Sequence, residues 1–319
     1  MSFTILLAAT FPEGLRNKID PSINVIEPFG LPVGATLSAD EAAAVRVLIT
    51  MGTLTTDAAG MDRLPNLGLI CCYGTGYEGV DVEAARKRGI MVTHSPAANA
   101  SSVADLAIAL LLAVSRRIVI ADKFVREGAW KGRSAARMPL VRGLTGMKIG
   151  VFGVGAIGRK IADRATAFEA EVSYYSRSPK LNLPYPFHES LQSLADWADA
   201  LMIAVRADGD NQHVVDRRIL QALGQEGIVI NIARGSIIDE PVLIELLESG
   251  QLGGAGLDVY ELEPAVPDSL KALPNVVLTP HIGGGTIDAH EAMQKLVLTN
   301  IMAYLAGRPL KTPIPELRS

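Results

Sequence analysis

The chain has 319 residues, enough for two domains, and 49% of them are hydrophobic. Its net charge of −4 comes from both signs mixed throughout, so no basic stripe offers itself to nucleic acid. The two cysteines, Cys71 and Cys72, are adjacent; they exclude a disulfide framework, lack metal-ligand partners nearby, and fit packing in a buried strand in a reducing cytoplasm.

The first apolar run has no positive segment before it and is broken by Phe11-Pro12-Glu13-Gly14. It reads as a strand over 4–9, not a signal peptide. Further strands are expected over 24–27, 45–50, 67–73 and 90–93, with helices over 39–44 and 82–88, the latter capped by Asp81. After a small-residue breaker at 96–102 comes one long helix, 102–127, apolar nearly all round as far as Arg116. That pattern predicts burial between domains or subunits. Its apolar part carries Asp105 and is too short to span a bilayer. The stretch 130–145 is irregular and basic. Strands follow over 149–152, 172–175, 200–205, 228–232, 254–259 and 276–278. Helices are expected to about 168 and over 191–195, 215–222, 240–249 and 286–305. This alternation predicts an α/β protein of two Rossmann-like, doubly wound parallel-sheet domains. One is discontinuous, 1–98 with 286–319; the other is 99–285.

The stretch 148–178 organises the chain. An apolar strand runs straight into Gly153-Val154-Gly155-Ala156-Ile157-Gly158, then an amphipathic helix, then a second strand. In that setting Gly153 allows the tight turn, Gly155 lets the backbone approach a pyrophosphate, and Gly158 lets helix and strand pack closely. The free N–H groups and the positive end of the helix dipole then face the phosphates, with Ala156 and Ile157 beside them. An acid at the end of the second strand would accept from a ribose 2′-hydroxyl. This chain has Ser176-Arg177-Ser178 there, a cation and two hydroxyls that suit a 2′-phosphate. NADP(H) is therefore preferred, and NAD(H) remains possible.

The motifs GTGYEGVD (74–81), GVGAIG (153–158), NIARGSIID (231–239), GLDVYELEP (256–264) and TPHIGG (279–284) span nearly the whole chain. With them the sequence resembles the D-isomer-specific 2-hydroxyacid dehydrogenase family, and within it the glyoxylate/hydroxypyruvate and hydroxyphenylpyruvate reductases. The extra carboxy-terminal regulatory domain of long phosphoglycerate dehydrogenases is not expected in it. The resemblance implies a flavodoxin-like substrate domain beside an NAD(P)-binding domain, and a homodimer through the region of the 102–127 helix.

Reduction of a 2-oxo acid needs a grip on its carboxylate and carbonyl, a proton donor for the oxygen, and a hydride that only a nicotinamide supplies. His281 follows a strand and Pro280 and precedes three glycines, where a strand meets a cleft. The other four histidines, His94, His188, His213 and His290, lack such a setting, and the family matches His281 to its general acid. Glu263 can pair with it and favour the imidazolium, keeping a proton available. Glu261 competes for that place, but the family's carboxylate comes immediately before the proline. Arg234, in NxxRG, can bind the substrate carboxylate with its fork of donors. The resemblance places Asp258 near the nicotinamide carboxamide, and Val205, Ile232, Ala233, Arg234, His281 and Gly283 along the cofactor. It also gives the backbone N–H groups of Gly74-Thr75-Gly76 to the substrate carboxylate, with domain closure about hinges near 95–98 and 283–286. Trp130 is expected to reach a neighbouring subunit's site, and Met51, Tyr73 and Tyr77 to line the pocket. Where the family has a proline-containing segment, this chain has Val205-Arg206-Ala207-Asp208, and Arg206 is read as a second cation for the 2′-phosphate.

The expected activity is NADPH-preferring reduction of glyoxylate and hydroxypyruvate to D-2-hydroxy acids in the cytoplasm. Hydroxyphenylpyruvate is the next substrate. An NAD-linked dehydrogenase of serine synthesis and a nucleotide-sensing corepressor are the competing readings, and the short ends of the chain argue against the second.

Overall fold

The computed structural model describes residues 3–11, 14–27, 32–131 and 138–317. Pro12, Glu13 and residues 132–137 of the expected basic stretch lie outside them. The chain divides into two units: Met1–Asn99 with Gly284–Ser319, and Ala100–Gly283.

The first unit begins with β1 (Thr4–Leu7), β2 (Asn24–Ile26), α1 (Ala39–Ala44), β3 (Val45–Met51), α2 (Ala58–Asp62), β4 (Leu69–Tyr73), α3 (Val82–Lys87) and β5 (Met91–Thr93). All of β1 and β4 is buried, as expected of parallel strands covered on both faces. The strands pair in parallel in the order β2-β1-β3-β4-β5, a flavodoxin-like arrangement. Ser38, Asp57 and Asp81 cap the three helices through their side chains.

The second unit contains α4 (Ala100–Ser115), α5 (Ile118–Arg126), β6 (Lys148–Phe152), α6 (Ala156–Ala167), β7 (Glu171–Tyr175), α7 (Leu191–Trp197) and β8 (Ala200–Ile203). It continues through α8 (Arg217–Leu223), β9 (Ile228–Asn231), α9 (Glu240–Glu248), β10 (Gly254–Leu257), α10 (Asp268–Ala272) and β11 (Val276–Leu278). Six parallel strands run in the order β11-β10-β9-β8-β6-β7. The order reverses between β6 and β8, and a ligand crevice forms outside the carboxyl ends of strands at such a point. Apolar cores lie on both faces, one built around Leu201, Val229 and Leu243, the other around Ile149, Met202 and Leu111.

The chain then returns to the first unit as α11 (Ile287–Leu305), capped by Thr286. Its Met293, Val297 and Ile301 pack with Ile5, Ile49 and Cys71. Cys72 points into the opposite core, with Leu48 and Ile70. Burial pushes both thiols up, Cys71 to about 12, so neither ionises near neutral pH. Among the described residues no helix is long and apolar enough to cross a membrane.

The long helix expected over 102–127 is two helices. Arg117 between them has φ +51, and the charged pair Arg116-Arg117 marks where the apolar run ends. The apolar surround of α4 is explained within its own unit. Side chains at Gly254 and Gly256 of β10 would begin 2.7 Å from Val114 Cγ1 and 3.0 Å from Leu110 Cβ, so α4 lies directly on the sheet. The short helices α2 and α10, five residues each, carry too little periodicity to have been expected. The helix expected from 215 begins at Arg217, because Val215 pairs with Ile238 and Asp216 is the cap.

Gly158 has no room for a side chain: a Cβ would lie 1.8 Å from the Gly153 carbonyl oxygen. At Gly155 a Cβ meets nothing within 4 Å. In a helix Gly→Ala ordinarily stabilises by about 1 kcal/mol. Here Gly158→Ala is expected to lower stability by about 1–3 kcal/mol in urea unfolding, and Gly155→Ala to leave it within about 0.5 kcal/mol. Equal midpoints for the two variants would refute the close packing of turn and helix.

Candidate active site

In the second unit the candidate residues sit in the loops that leave the carboxyl ends of the strands. Gly153 turns with φ +92, and its N–H donates to the Tyr175 carbonyl at 2.9 Å. A Cβ there would lie 2.7 Å from Val205 Cα, so the glycine turn and the segment after β8 are pressed together. Seven helices, α1, α2, α3, α7, α8, α9 and α11, have a side-chain oxygen on their leading N–H groups. The N-cap of α6 is Gly155, which offers none. With open space in front of Gly155 and Ala156 exposed, this end of α6 is a cradle that a pyrophosphate fits.

Beyond β7, Ser176 Oγ donates to the Ser178 carbonyl at 2.7 Å, which folds the Ser-Arg-Ser turn on itself. The Arg177 side chain is 82% exposed, and its Nη1 lies 3.7 Å from Asp208 Oδ2. Asp208 is in the loop after β8, where Arg206 is also exposed.

After β9 the buried Asn231 shapes the next loop. Its Oδ1 accepts from the Ala233 N–H at 3.0 Å, and its Nδ2 donates to the Arg234 carbonyl at 2.9 Å. Ile232 and Ala233 are buried. Arg234 Nη1 donates back to the Ala233 carbonyl at 2.7 Å. Gly235 must be glycine, because a Cβ would sit 1.9 Å from the Tyr260 carbonyl carbon and 2.2 Å from the Glu261 nitrogen. The Arg234 loop is thereby laid onto the loop after β10.

That second loop carries Asp258, Tyr260, Glu261 and Glu263. Asp258 is 1% exposed. Its Oδ1 accepts from Thr279 Oγ1 at 2.6 Å and the Ile282 N–H at 2.8 Å, and its Oδ2 from the Gly283 N–H at 2.8 Å. Asp258, expected at the nicotinamide carboxamide, also holds the turn that bears His281. A side chain at Gly283 would crowd it, and Ser102 Oγ donates to the Gly283 carbonyl at 2.6 Å. The Tyr260 hydroxyl donates to the Thr279 carbonyl at 2.9 Å. Burial, with the Asp258 charge adding, pushes that phenol up to about 12.

His281 has φ +53, an uncommon backbone for a bulky residue, and its Nδ1 lies 2.7 Å from Glu263 Oε2. The Tyr260 N–H donates to Glu263 Oε1 at 3.1 Å. Partial burial works against the Glu263 carboxylate. The His281 hydrogen bond and charge, the Tyr260 N–H and the Arg234 charge outweigh it, and hold the carboxyl below its ordinary value. Glu261 is engaged elsewhere: its Oε1 is 2.7 Å from His213 Nε2, and its N–H donates to Glu240 Oε2 at 3.2 Å. Pairing of Nδ1 with Glu263 leaves His281 Nε2 as the nitrogen to meet a substrate.

In the first unit Gly74 has φ +125 and open space at its Cβ position. The Gly74 carbonyl accepts from the Ser95 N–H at 2.7 Å, and Thr75 Oγ1 donates to Asn99 Oδ1 at 2.9 Å. A Cβ at Gly52 would lie 1.8 Å from the Gly76 carbonyl oxygen, so the loops after β3 and β4 are fixed together. Tyr73 and Tyr77, expected to line a pocket, are core residues. The Tyr73 hydroxyl is 2.8 Å from His290 Nδ1 and its ring packs on Phe11; the Tyr77 hydroxyl donates to the Glu316 carboxylate at 2.9 Å. Both lie at strand or turn positions whose burial comes from α11 and the tail, remote in sequence. Met51 is half-buried, and Trp130 is 69% exposed. The roles of Asn231, Tyr260 and Asp208 in these loops are not among those expected from the sequence. Only the asparagine, at the head of NxxRG, left a local signal.

The family model for the D-isomer specific 2-hydroxyacid dehydrogenase NAD binding domain matches residues 108–283. A hydroxyphenylpyruvate reductase of Plectranthus scutellarioides is 38% identical over 97% of this chain and 98% of its own length. Glyoxylate/hydroxypyruvate reductase A of Arabidopsis thaliana is 36% identical over 98% of this chain and 99% of its own. Among solved structures, the NADPH-dependent glyoxylate/hydroxypyruvate reductase of Sinorhizobium meliloti, in complex with NADP and malonate, has a TM-score of 0.92 at 33% identity, covering 99% of this chain and 98% of that one. Similarity of this extent, in sequence and in fold, establishes that the chain belongs to the D-isomer-specific 2-hydroxyacid dehydrogenase family.

Proposed function

We propose that this protein is an NADPH-preferring reductase of small 2-oxo acids, glyoxylate and hydroxypyruvate, yielding D-2-hydroxy acids. The observation that carries it is the 2.7 Å pair of His281 Nδ1 and Glu263 Oε2, on a loop system that also bears Arg234 and the open end of α6.

The backbone N–H groups of Gly155, Ala156, Ile157 and Gly158 hold the pyrophosphate, Ser176, Arg177, Ser178 and Arg206 the 2′-phosphate, and Val205, Ile232, Ala233 and Gly283 border the cofactor. When bound, the reduced nicotinamide supplies the hydride. Arg234 binds the substrate carboxylate and polarises the adjacent carbonyl. As the carbonyl oxygen gains charge, His281 Nε2 gives it a proton, and ionised Glu263 stabilises the imidazolium that donates. Asp258 fixes the turn that bears His281. The two adjacent reduced cysteines suit a cytoplasmic protein.

A second reading is reduction of an aryl 2-oxo acid. It is favoured by the likeness to the Plectranthus enzyme, named for hydroxyphenylpyruvate. We also infer a homodimer through α5, whose Ile118, Val119 and Val125 are exposed, next to Trp130.

A steady-state panel of glyoxylate, hydroxypyruvate and phenylpyruvates, each with NADPH and NADH, tests the function; no turnover with any of them refutes it. His281→Asn is expected to lower kcat by about 10²–10⁴. Arg234→Lys raises the KM for the oxo acid more than that for the cofactor. Folding lowers the Glu263 pKa, so its contribution to stability is present above the ordinary value of 4.5 and lost as pH falls through the lowered one. Glu263→Gln is therefore less stable than the parent at pH 7, and the gap narrows on acidification; a gap that widens contradicts the pairing. Light scattering is expected to give a dimer that Val119→Asp converts to monomer.

A further inference from the structure

The end of β7 offers no carboxylate of its own, but the fold brings one to it. Asp208 Oδ2 stands 3.7 Å from Arg177 Nη1. The two partners differ in how firmly they are held. Arg177 is 82% exposed on a long stem, whereas the Asp208 side chain is 31% exposed on a stapled turn. The Asp208 N–H donates to Asn211 Oδ1 at 2.9 Å, and Asp208 Oδ1 accepts from the Asp210 N–H at 3.2 Å. Asn211 Nδ2 donates to the Arg206 carbonyl at 2.7 Å. The start of this loop is pinned as well, since Val205 lies against Gly153. The carboxylate is thus a fixed feature of the loop beside the glycine turn, and the guanidinium is the mobile partner.

We propose that Asp208 opposes Arg177 in setting the cofactor selectivity of this enzyme, so that the preference for NADPH over NADH is narrowed. This rests on the reading that the end of β7 meets the adenosine ribose. Arg177 attracts a 2′-phosphate, which carries about −1.5 to −2 charges at neutral pH. Asp208 repels the same phosphate and competes for the same guanidinium. Toward NADH the roles reverse: a ribose 2′-hydroxyl donates to Asp208, the carboxylate that Ser176-Arg177-Ser178 lacks. An ion pair this exposed adds little to stability, so its weight falls on selectivity. Arg177 keeps the preference for NADPH because charge-assisted bonds from its fork to a phosphate exceed a single neutral hydroxyl bond.

Two adenosine fragments isolate this end of the cofactor from hydride chemistry: 2′,5′-ADP, which bears the 2′-phosphate, and 5′-ADP, which bears the hydroxyl. Calorimetry on the full-length protein is expected to show Asp208→Asn binding 2′,5′-ADP about tenfold more tightly, the order of one screened like charge a few Å away, and 5′-ADP more weakly. The ratio of kcat/KM for NADPH to that for NADH rises in step. Asparagine keeps the Oδ1 that accepts the Asp210 N–H, so the turn is retained; Asp208→Ser, which also keeps an acceptor, gives the same direction if the first variant folds poorly. Arg177→Ala moves both fragments the opposite way. The same factor on both fragments in Asp208→Asn, or weaker 2′,5′-ADP binding, overturns the role of Asp208. If Arg177→Ala leaves 2′,5′-ADP binding unchanged, the end of β7 is not the phosphate site and the NADPH reading itself fails.

Discussion

Burying a carboxylate as completely as Asp258 is tolerable only when donors surround it. It has three, and all come from the segment that carries His281: Thr279 Oγ1 and the Ile282 and Gly283 N–H groups. Loss of any one leaves a buried charge under-solvated, so the turn has one low-energy shape. That shape imposes φ +53 on His281, a backbone the residue would not choose alone. Strain at the imidazole is sustained by the hydrogen bonding of an acid that never touches it.

The same logic spreads sideways through close packing. Gly235 leaves no gap between the Arg234 loop and the backbone of Tyr260 and Glu261. Asn231, at the end of β9, fixes Arg234 from below, and its carbonyl accepts from the Asp258 N–H at 3.0 Å. Three loops from adjacent parallel strands therefore behave as one rigid piece. A parallel sheet makes this possible because all its strands deliver their loops to the same edge.

Much of this was legible in the sequence. The alternation of apolar runs gave both sheets, and the spans of α1 and β11 match their expected limits because capping and apolar pattern agree there. The glycine turn was legible through its strand–turn–helix setting, and the His281–Glu263 pair through its motifs. What escaped was set by distance along the chain. Asp258 and its backbone donors are 24 and 25 residues apart, and no periodicity encodes that partnership. Tyr73 reads as an open aromatic until α11, more than two hundred residues on, brings His290 to its hydroxyl. Asp208 sits in a polar loop of low pattern content, and only the β6–β8 adjacency carries it to Arg177. The break at Arg117 hid inside a helix-forming composition, since arginine is a good helix former and its left-handed φ is a tertiary choice.

Two carboxylates, Glu261 and Glu263, stand two residues apart within reach of two histidines, and the choice of partner decides which histidine can act. Glu261 cannot turn to His281 without abandoning His213, and its own N–H is held by Glu240. Glu240 is itself buried, and burial, with the Glu261 charge adding, pushes its carboxyl up. His213 is tied into place by its own N–H, which donates to the Ser236 carbonyl at 2.8 Å on the far side of Gly235. The pairing is sorted by the backbone packed around the acids, and the carboxylate that remains for His281 is the one whose Oε1 already holds the Tyr260 N–H. Glu263 reaches the imidazole with one oxygen fixed and the other aimed.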